Sequence, residues 1–163
     1  MTYVTARGRW YDVSWKGDEQ RSGGVATNIG IHFFDLLLWL FGPVTHIEVH
    51  LREPVRMSGV LRLQRATVRW FLSTSLDDLR HPAQAGNATT YRSITVDEEE
   101  VEFSSGFVDL HTRIYQEVLV GRGFGIADAR PSIELTHRIR TCPVTAPGEM
   151  AHPETIRLRA ALR

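Results

Sequence analysis

The sequence is poor in the residues that cross-link and that carry strong fields. Cys142 is the only cysteine among 163 residues. A lone thiol excludes an internal disulfide and suits a reducing compartment, so the expected location is cytoplasmic. Lys16 is the only lysine, and the remaining basic residues are all Arg. The 19 basic and 19 acidic residues cancel, which leaves no strong field to draw nucleic acid or an acidic membrane surface. The Ile29–Phe41 apolar run is interrupted by His32 and Asp35. It falls short of the roughly 20 residues of a spanning helix and reads as a core helix, with no membrane expected. The N-terminal Met-Thr-Tyr-Val-Thr-Ala-Arg has no apolar leader segment. A phosphate loop, H-E-x-x-H, G-x-S-x-G and paired C-x-x-C motifs are all lacking, as are repeats and low-complexity segments. G-R-G-F-G at 121–125 lacks the spacing of a dinucleotide loop and follows no predicted strand.

What is present is a chain long enough for one domain with a real core, 42% of it apolar. Its centre is S-G-G-V-A-T-N-I-G-I-H-F-F-D-L-L-L-W-L-F-G, residues 22–42. The pattern predicts a helix from Thr27, as N-cap, to Phe41, with Gly42 in the C′ position and Pro43 blocking continuation. Such a helix is apolar nearly all round and is expected to be buried on all sides. Asn28, His32 and Asp35 are the exceptions, spaced so that they share one stripe. Buried polar groups require partners. The stripe either serves a packed polar network or lines a pocket whose ligand completes the bonds. His32 suits proton exchange or a bond to a substrate hydroxyl, and Asn28 offers a hydroxyl both donor and acceptor. Asp35 either orients the imidazole or bonds backbone. This is chemistry suited to sugars.

Around this helix the periods are legible. Tyr3–Thr5 is a short extended piece. Residues 9–23 show no clean period and place Trp10, Tyr11 and Trp15 among charges, so they read as a loop, functional or simply pinned by its aromatics. Alternation at Ile47, Val49 and Leu51 predicts a strand; a hairpin follows, turning near Gln64-Arg65-Ala66. His46, Glu48 and His50 share one face of the first strand, which reads as a solvated or interface face rather than a metal site. Residues 76–88 form a long loop. Thr90–Val96 turns at Asp97-Glu98 and pairs with Glu100–Phe103. Val108–Val120 and Pro131–Ile139 are helices closing the domain, the second with Pro131 near its first position. Asp109 and His111 read as capping and charge complementarity at the first of these helices. The tail to Pro153 is extended along the surface, and the last ten residues are a short helix or frayed. The expected fold is α+β, an antiparallel-dominated mixed sheet of about five strands with helices packed on one face. The boundaries are 1–153 for the domain and 154–163 for a C-terminal tail. The opposite sheet face, where Phe71 alternates with polar groups, is the expected surface for self-association.

Collinear motifs carry a resemblance. G-G-x-x-x-N-x-G-x-H-x-x-D over Gly23–Asp35 resembles a segment of the Gfo/Idh/MocA oxidoreductases, in which the Asn position is usually Asp. R-G-x-W-Y-x-x-S-W-K-G-D (7–18), T-Y-R-S-I-T-V-D (90–97), G-F-x-D-L-H-T-R (106–113) and G-F-G-I-x-D-A-R-P-S-I-E (123–134) are similar to one branch, the UDP-N-acetylglucosaminuronate 3-dehydrogenases. The resemblance implies the family's C-terminal α+β domain, with the Rossmann domain absent from this chain. It implies NAD as cofactor, held mainly by that absent domain, and oxidation of a sugar 3-hydroxyl on a nucleotide sugar for surface polysaccharide biosynthesis. It places His32 beside the reacting carbon as the catalytic candidate. Asn28, Lys16, Tyr11 and Arg92 are the substrate-binding candidates, with no cofactor or metal ligands in this chain. The family's Glu-Lys-Pro lysine has no counterpart here, since Lys16 belongs to a different motif, so the chain alone is expected to be inactive. The rival expectation is a non-catalytic sugar-binding or oligomerisation module.

Overall fold

A computed structural model describes residues 1–79, 89–105 and 108–161, except for the side chain of Asp12. The sheet has six strands: β1 (Thr2–Thr5), β2 (Val44–Arg52), β3 (Arg56–Leu63), β4 (Thr67–Ser73), β5 (Thr90–Val96) and β6 (Glu99–Glu102). Their order across the sheet is β2-β3-β4-β1-β5-β6. The predicted hairpins form: β2 pairs antiparallel with β3, β3 with β4, and β5 with β6. Asp97 and Glu98 turn the last hairpin with φ of 48° and 71°, the left-handed values that two-residue hairpin loops need.

The sixth strand is the short N-terminal piece. β1 inserts at the middle, parallel to β4 and antiparallel to β5, and joins the two antiparallel halves into one mixed sheet. Its four residues are too few to display a period, which is why the sequence shows only an extended segment.

Residues 9–23 are not irregular. They contain α1 (Arg9–Val13) and α2 (Glu19–Ser22). Asp18 caps α2, its Oδ1 accepting from the N–H groups of Gln20 (2.9 Å) and Arg21 (3.3 Å). Gly23, at φ 84°, ends α2 in the left-handed conformation. A π-helical turn (Ala26–Gly30) then leads into α3 (Ile31–Phe41). Thr27 is therefore not an N-cap; its Oγ1 donates to the Gly23 carbonyl at 3.1 Å from within the helical run. Gly42 closes α3 as expected, at φ 82° with its N–H on the Leu38 carbonyl.

The helix packs on the sheet through Ile29, Phe34 and Leu37, all fully buried. Phe34 meets Trp70 edge-on, with ring centroids 5.5 Å apart. Gly30 permits the approach, because a Cβ there would lie 2.7 Å from Leu72 Cδ1. Burial on all sides is not what forms, however. His32, Asp35, Trp39 and Leu40 are exposed, Trp39 by 78%. Sequence composition does not distinguish a helix sandwiched on two sides from one enclosed on all. Glu19–Phe41 is long and apolar enough to cross a membrane by length and composition; here its apolar side covers the sheet.

Beside α3 lies α5 (Ile126–Thr141), which buries Leu135 and Ile139. It begins five residues before Pro131, so the proline is interior and not at the first position. Arg52 of β2 reaches its far end and donates from Nη2 to the carbonyls of Ile139 (3.0 Å) and Cys142 (2.6 Å), supplying a cation where the helix presents unpaired acceptors. The segment after Cys142 is extended, as expected, and Val144 bridges Val49 at the sheet edge. Of the predicted loop at 76–88, residues 80–88 lie outside the described residues, while Leu76–Asp78 form a 3-10 turn. The helix expected at 108–120 forms as α4 (Leu110–Leu119) but buries none of its residues.

The chain end resolves as helix α6 (Pro153–Ala160), and not as a frayed tail. It covers the opposite sheet face. Strand alternation turns Trp70 and Leu72 toward α3 and turns Phe71 and Ser58 away from it. There the Thr155 hydroxyl donates to Ser58 Oγ at 2.6 Å, and Phe71 stacks on His152 at 5.6 Å. Phe71, read from sequence as part of an open face, is fully buried by residues of its own chain. Below α6, Asp78 collects Arg56 Nε (2.6 Å), Arg157 Nη2 (3.6 Å) and the Ser73 hydroxyl (2.6 Å). Its side chain is 1% exposed, so removing Arg56 would leave this buried charge only the longer contact to Arg157.

His152 gives this packing a pH dependence. Its Nδ1 accepts the Glu154 N–H at 3.2 Å and so caps α6, which requires the neutral ring. Burial above all, then the Met1 ammonium and Arg69, lowers its pKa from 6.5 to about 3. A lowered folded-state pKa means that the unfolded chain binds the extra proton first. The contribution is fully present above pH 6.5 and is lost as pH falls toward 3, with a slope of up to about 1.4 kcal/mol per pH unit. We expect urea unfolding midpoints to decline as pH drops from 6.5, and His152→Asn to flatten that decline in the range above about pH 5, where carboxylates do not yet dominate.

Candidate functional site

The N-terminal half of the long helical run holds one side chain that three segments converge on. Asn28 lies in the π-helical turn and is half-buried. Its Nδ2 donates toward the Tyr11 hydroxyl (2.9 Å), Ser22 Oγ (3.0 Å) and the Lys16 carbonyl (3.1 Å). Two amide hydrogens are shared among three oxygens drawn from α1, α2 and the loop between them. Of the two readings open for the polar stripe, a packed network is what Asn28 makes, and its Oδ1 has no hydrogen-bond partner among the described residues. π-helical turns recur at functional positions because the extra residue re-aims the chain that follows.

The network explains why an amide stands here. The hydroxyls of Tyr11 and Ser22 can turn to donate to a carboxylate, but the Lys16 carbonyl can only accept. An aspartate at position 28 would set a negative oxygen against it.

His32 and Asp35 do not join that network. Both are exposed, and the imidazole has no hydrogen-bond partner among the described residues. His32 is thus presented to solvent from a helix whose opposite side is fixed in the core.

Tyr11 is 7% exposed and lies beneath the Arg7 guanidinium, 5.9 Å from the ring centroid. It serves as an anchor for the loop rather than as an open wall. Lys16 is exposed, its Nζ 6.0 Å from the Trp10 ring and 5.9 Å from the Trp15 ring. No carboxylate among the described residues pairs with it, so an ammonium framed by two aromatic faces is offered outward. Ser22 and Asp18 were missed from sequence. Asp18 ahead of Glu19 carries a recognisable cap signal.

Arg92 is held in a separate group. It opposes Tyr3 in the β1–β5 register, with its guanidinium 5.1 Å from the Tyr3 ring centroid. Its Nη1 donates to the Ser104 carbonyl at 3.0 Å. Tyr3 packs on Phe33 at 4.8 Å, and Phe33 on Phe103 at 5.6 Å. Phe33 follows His32 in α3, so this helix carries His32 between the Asn28 network and the aromatic stack beneath Arg92.

Among the described residues, the remaining chemical candidates do not assemble a second centre. Glu48 lies between His46 Nε2 (3.3 Å) and His50 Nε2 (3.2 Å), one oxygen to each. The glycines at 121–125 do not cradle a dinucleotide. They join α4 to α5, and the Gly125 N–H at the start of α5 is already taken by Asp128 Oδ2 at 2.7 Å. A phosphate would meet a carboxylate at that helix end. The 121–125 segment therefore does not fit a dinucleotide phosphate loop. The cap expected from Asp109 is also absent; Asp109 takes φ 59° and its side chain makes no cap bond.

The fold has counterparts among known proteins. The family model described as "Oxidoreductase family, C-terminal alpha/beta domain" matches residues 2–64. The WlbA (WbpB) dehydrogenase of Thermus thermophilus, solved with NAD and alpha-ketoglutarate, is 54% identical over 94% of this chain, with a TM-score of 0.88. The same dehydrogenase solved with NAD and UDP-GlcNAcA gives 53% identity, 94% coverage and a TM-score of 0.87. In both cases the match takes in 50% of the relative, so this chain spans about half its length. With the fold, the collinear motifs and these relatives in agreement, the chain belongs to the Gfo/Idh/MocA oxidoreductase family, as a C-terminal alpha/beta domain resembling that of the WlbA (WbpB) type.

Proposed function

We propose that this chain is the nucleotide-sugar-binding half of an NAD-dependent dehydrogenase that oxidises the 3-hydroxyl of UDP-N-acetylglucosaminuronic acid, in the cytoplasmic stages of surface polysaccharide biosynthesis. The observation that carries the reading is the solvent-facing His32, without a hydrogen-bond partner among the described residues, on a helix whose opposite side is fixed in the core. The 53% identity to a dehydrogenase solved with UDP-GlcNAcA supplies the substrate class.

In this reading His32 accepts the proton of the 3-hydroxyl or holds that hydroxyl by a hydrogen bond. Asn28 positions the loop and presents Oδ1 to the sugar. Lys16 receives the uronate carboxylate or the diphosphate, and Arg92 supplies a second cation for the charge Lys16 does not take. NAD contributes acceptance of the hydride when bound, and its dinucleotide site belongs to residues outside this chain. The chain alone is expected to form no NADH.

Two measurements test the reading. Joined to the dinucleotide-binding half of the Thermus thermophilus relative, the chain should reduce NAD with UDP-N-acetylglucosaminuronic acid. His32→Ala should lower kcat by about 10²–10⁴-fold, the range typical of a lost acid–base group. Unchanged turnover in that variant removes His32 from the chemistry. Turnover with other polyols in preference to the uronate would assign a different sugar.

The loop anchor is tested separately. Asn28→Asp should destabilise the domain by about 0.5–1.5 kcal/mol, the net worth of a hydrogen bond lost to the exposed Lys16 carbonyl. It should also raise amide exchange across residues 9–18. Exchange in that segment that matches the unaltered chain would show that the loop is held by its aromatics alone.

A further inference from the structure

Lys16, the only lysine of the chain, is held at both ends. Its Nζ lies 6.0 Å from the Trp10 ring and 5.9 Å from the Trp15 ring. Its backbone carbonyl accepts from Asn28 Nδ2 at 3.1 Å. Among the described residues, the other hydrogen bonds of the turn at 14–17 are local. Ser14 Oγ donates to the Tyr11 carbonyl at 2.8 Å and accepts the Lys16 N–H at 3.3 Å, and the Gly17 N–H donates to the Ser14 carbonyl at 3.1 Å. Such bonds close the turn on itself but do not fix where it stands relative to α3.

Asn28 ties the turn to a rigid base. Its neighbours Ala26, Ile29 and Gly30 are buried. On the inner side its amide nitrogen meets the buried Tyr11 hydroxyl and the buried Ser22 Oγ. Ser22 Oγ is itself held, accepting the Gly24 N–H at 3.1 Å. Asn28 read from sequence as both donor and acceptor to a hydroxyl; the structure commits the donor to oxygens of the protein. A lysine side chain is rich in rotamers, and ordering it before a ligand arrives removes that entropy loss from binding.

We propose that Asn28 is a positioning residue for Lys16. By holding the Lys16 carbonyl, it places the ammonium to receive an anionic group of the ligand, either the uronate carboxylate or the diphosphate. The proposal rests on the anion-receiving role given to Lys16 above. It makes the effect of Asn28 on affinity pass through Lys16, and not through its own Oδ1 alone. Tyr11 and Ser22 then serve the ligand indirectly, as the inner partners of the amide.

With one lysine in the chain, [15N]lysine labelling gives a single backbone amide signal, that of Lys16. Its heteronuclear NOE should be that of ordered backbone in the unaltered chain. In Asn28→Ala and the near-isosteric Asn28→Leu it should fall to that of a mobile loop, while near-UV circular dichroism remains that of a folded domain. Calorimetric titration of the 163-residue chain with UDP-N-acetylglucosaminuronic acid gives the second readout. Lys16→Ala should weaken binding about 10–100-fold, the range of a lost charge-assisted hydrogen bond. Asn28→Leu should weaken it by no more than that, and the two losses should not multiply in the double variant. UDP-N-acetylglucosamine, which lacks the uronate, separates the anions: a Lys16→Ala loss that persists assigns the diphosphate, and one that vanishes assigns the uronate. A Lys16 amide that is mobile in the unaltered chain, or equally ordered in the Asn28 variants, would overturn the positioning role. So would losses that multiply, which leave Asn28 to act by Oδ1 alone. No binding, or binding that Lys16→Ala leaves unchanged, alongside the expected NOE changes, would instead overturn the anion-receiving reading and the proposal with it.

Discussion

The fold depends on one contact, the burial of Ile29, Phe34 and Leu37 against Trp70 and Leu72 of the central strands. Phe34 and Trp70 are among the largest fully buried side chains, and Gly30 lets their backbones close on each other. The candidate residues Asn28 and His32 are placed by that contact. It fixes the N-terminal end of the helical run, so Asn28 can gather α1, α2 and the intervening loop from a rigid base. The same contact holds His32 on the outward side, one residue from the Phe33 that packs against Tyr3 and Phe103. A side chain meant to meet a substrate gains precision from standing on an element whose other face cannot move.

The polarity of the helix then divides its labour. Asn28 faces inward toward three oxygens and His32 faces outward toward none among the described residues. Helical spacing put them on one stripe, but the π-helical turn at Ala26–Gly30 intervenes and separates their environments. The identity of residue 28 follows from its partners. The Lys16 carbonyl demands a donor, so the amide is selected by the loop it holds as much as by any sugar it meets.

Much of the fold was legible because its signals are local. The alternation in β2, β3 and β4 and the turn at Asp97-Glu98 need no knowledge of the rest of the chain. β1 was not legible as a central strand, since its place depends on pairing with β4 and β5, nearly the whole sheet away in sequence. Pro131 suggested a helix start, and the Gly125–Asp128 cap overrode it. α4 was legible as a helix but not as an exposed one, because periodicity reports which face is apolar and not whether anything covers it. At the site, residue types pointed to His32 and Asn28, whereas the part played by Ser22 and the inward position of Tyr11 emerge only once the loop is folded back on the helix.

The central claim is that the outward face of α3 meets a nucleotide sugar. The most direct measurement is the NMR shift of the His32 imidazole as UDP-N-acetylglucosaminuronic acid is added, with UDP as the comparison ligand. The account predicts saturable movement of the His32 signals with the nucleotide sugar and much less with UDP. Signals of His32 that stay fixed while residues elsewhere respond would contradict it.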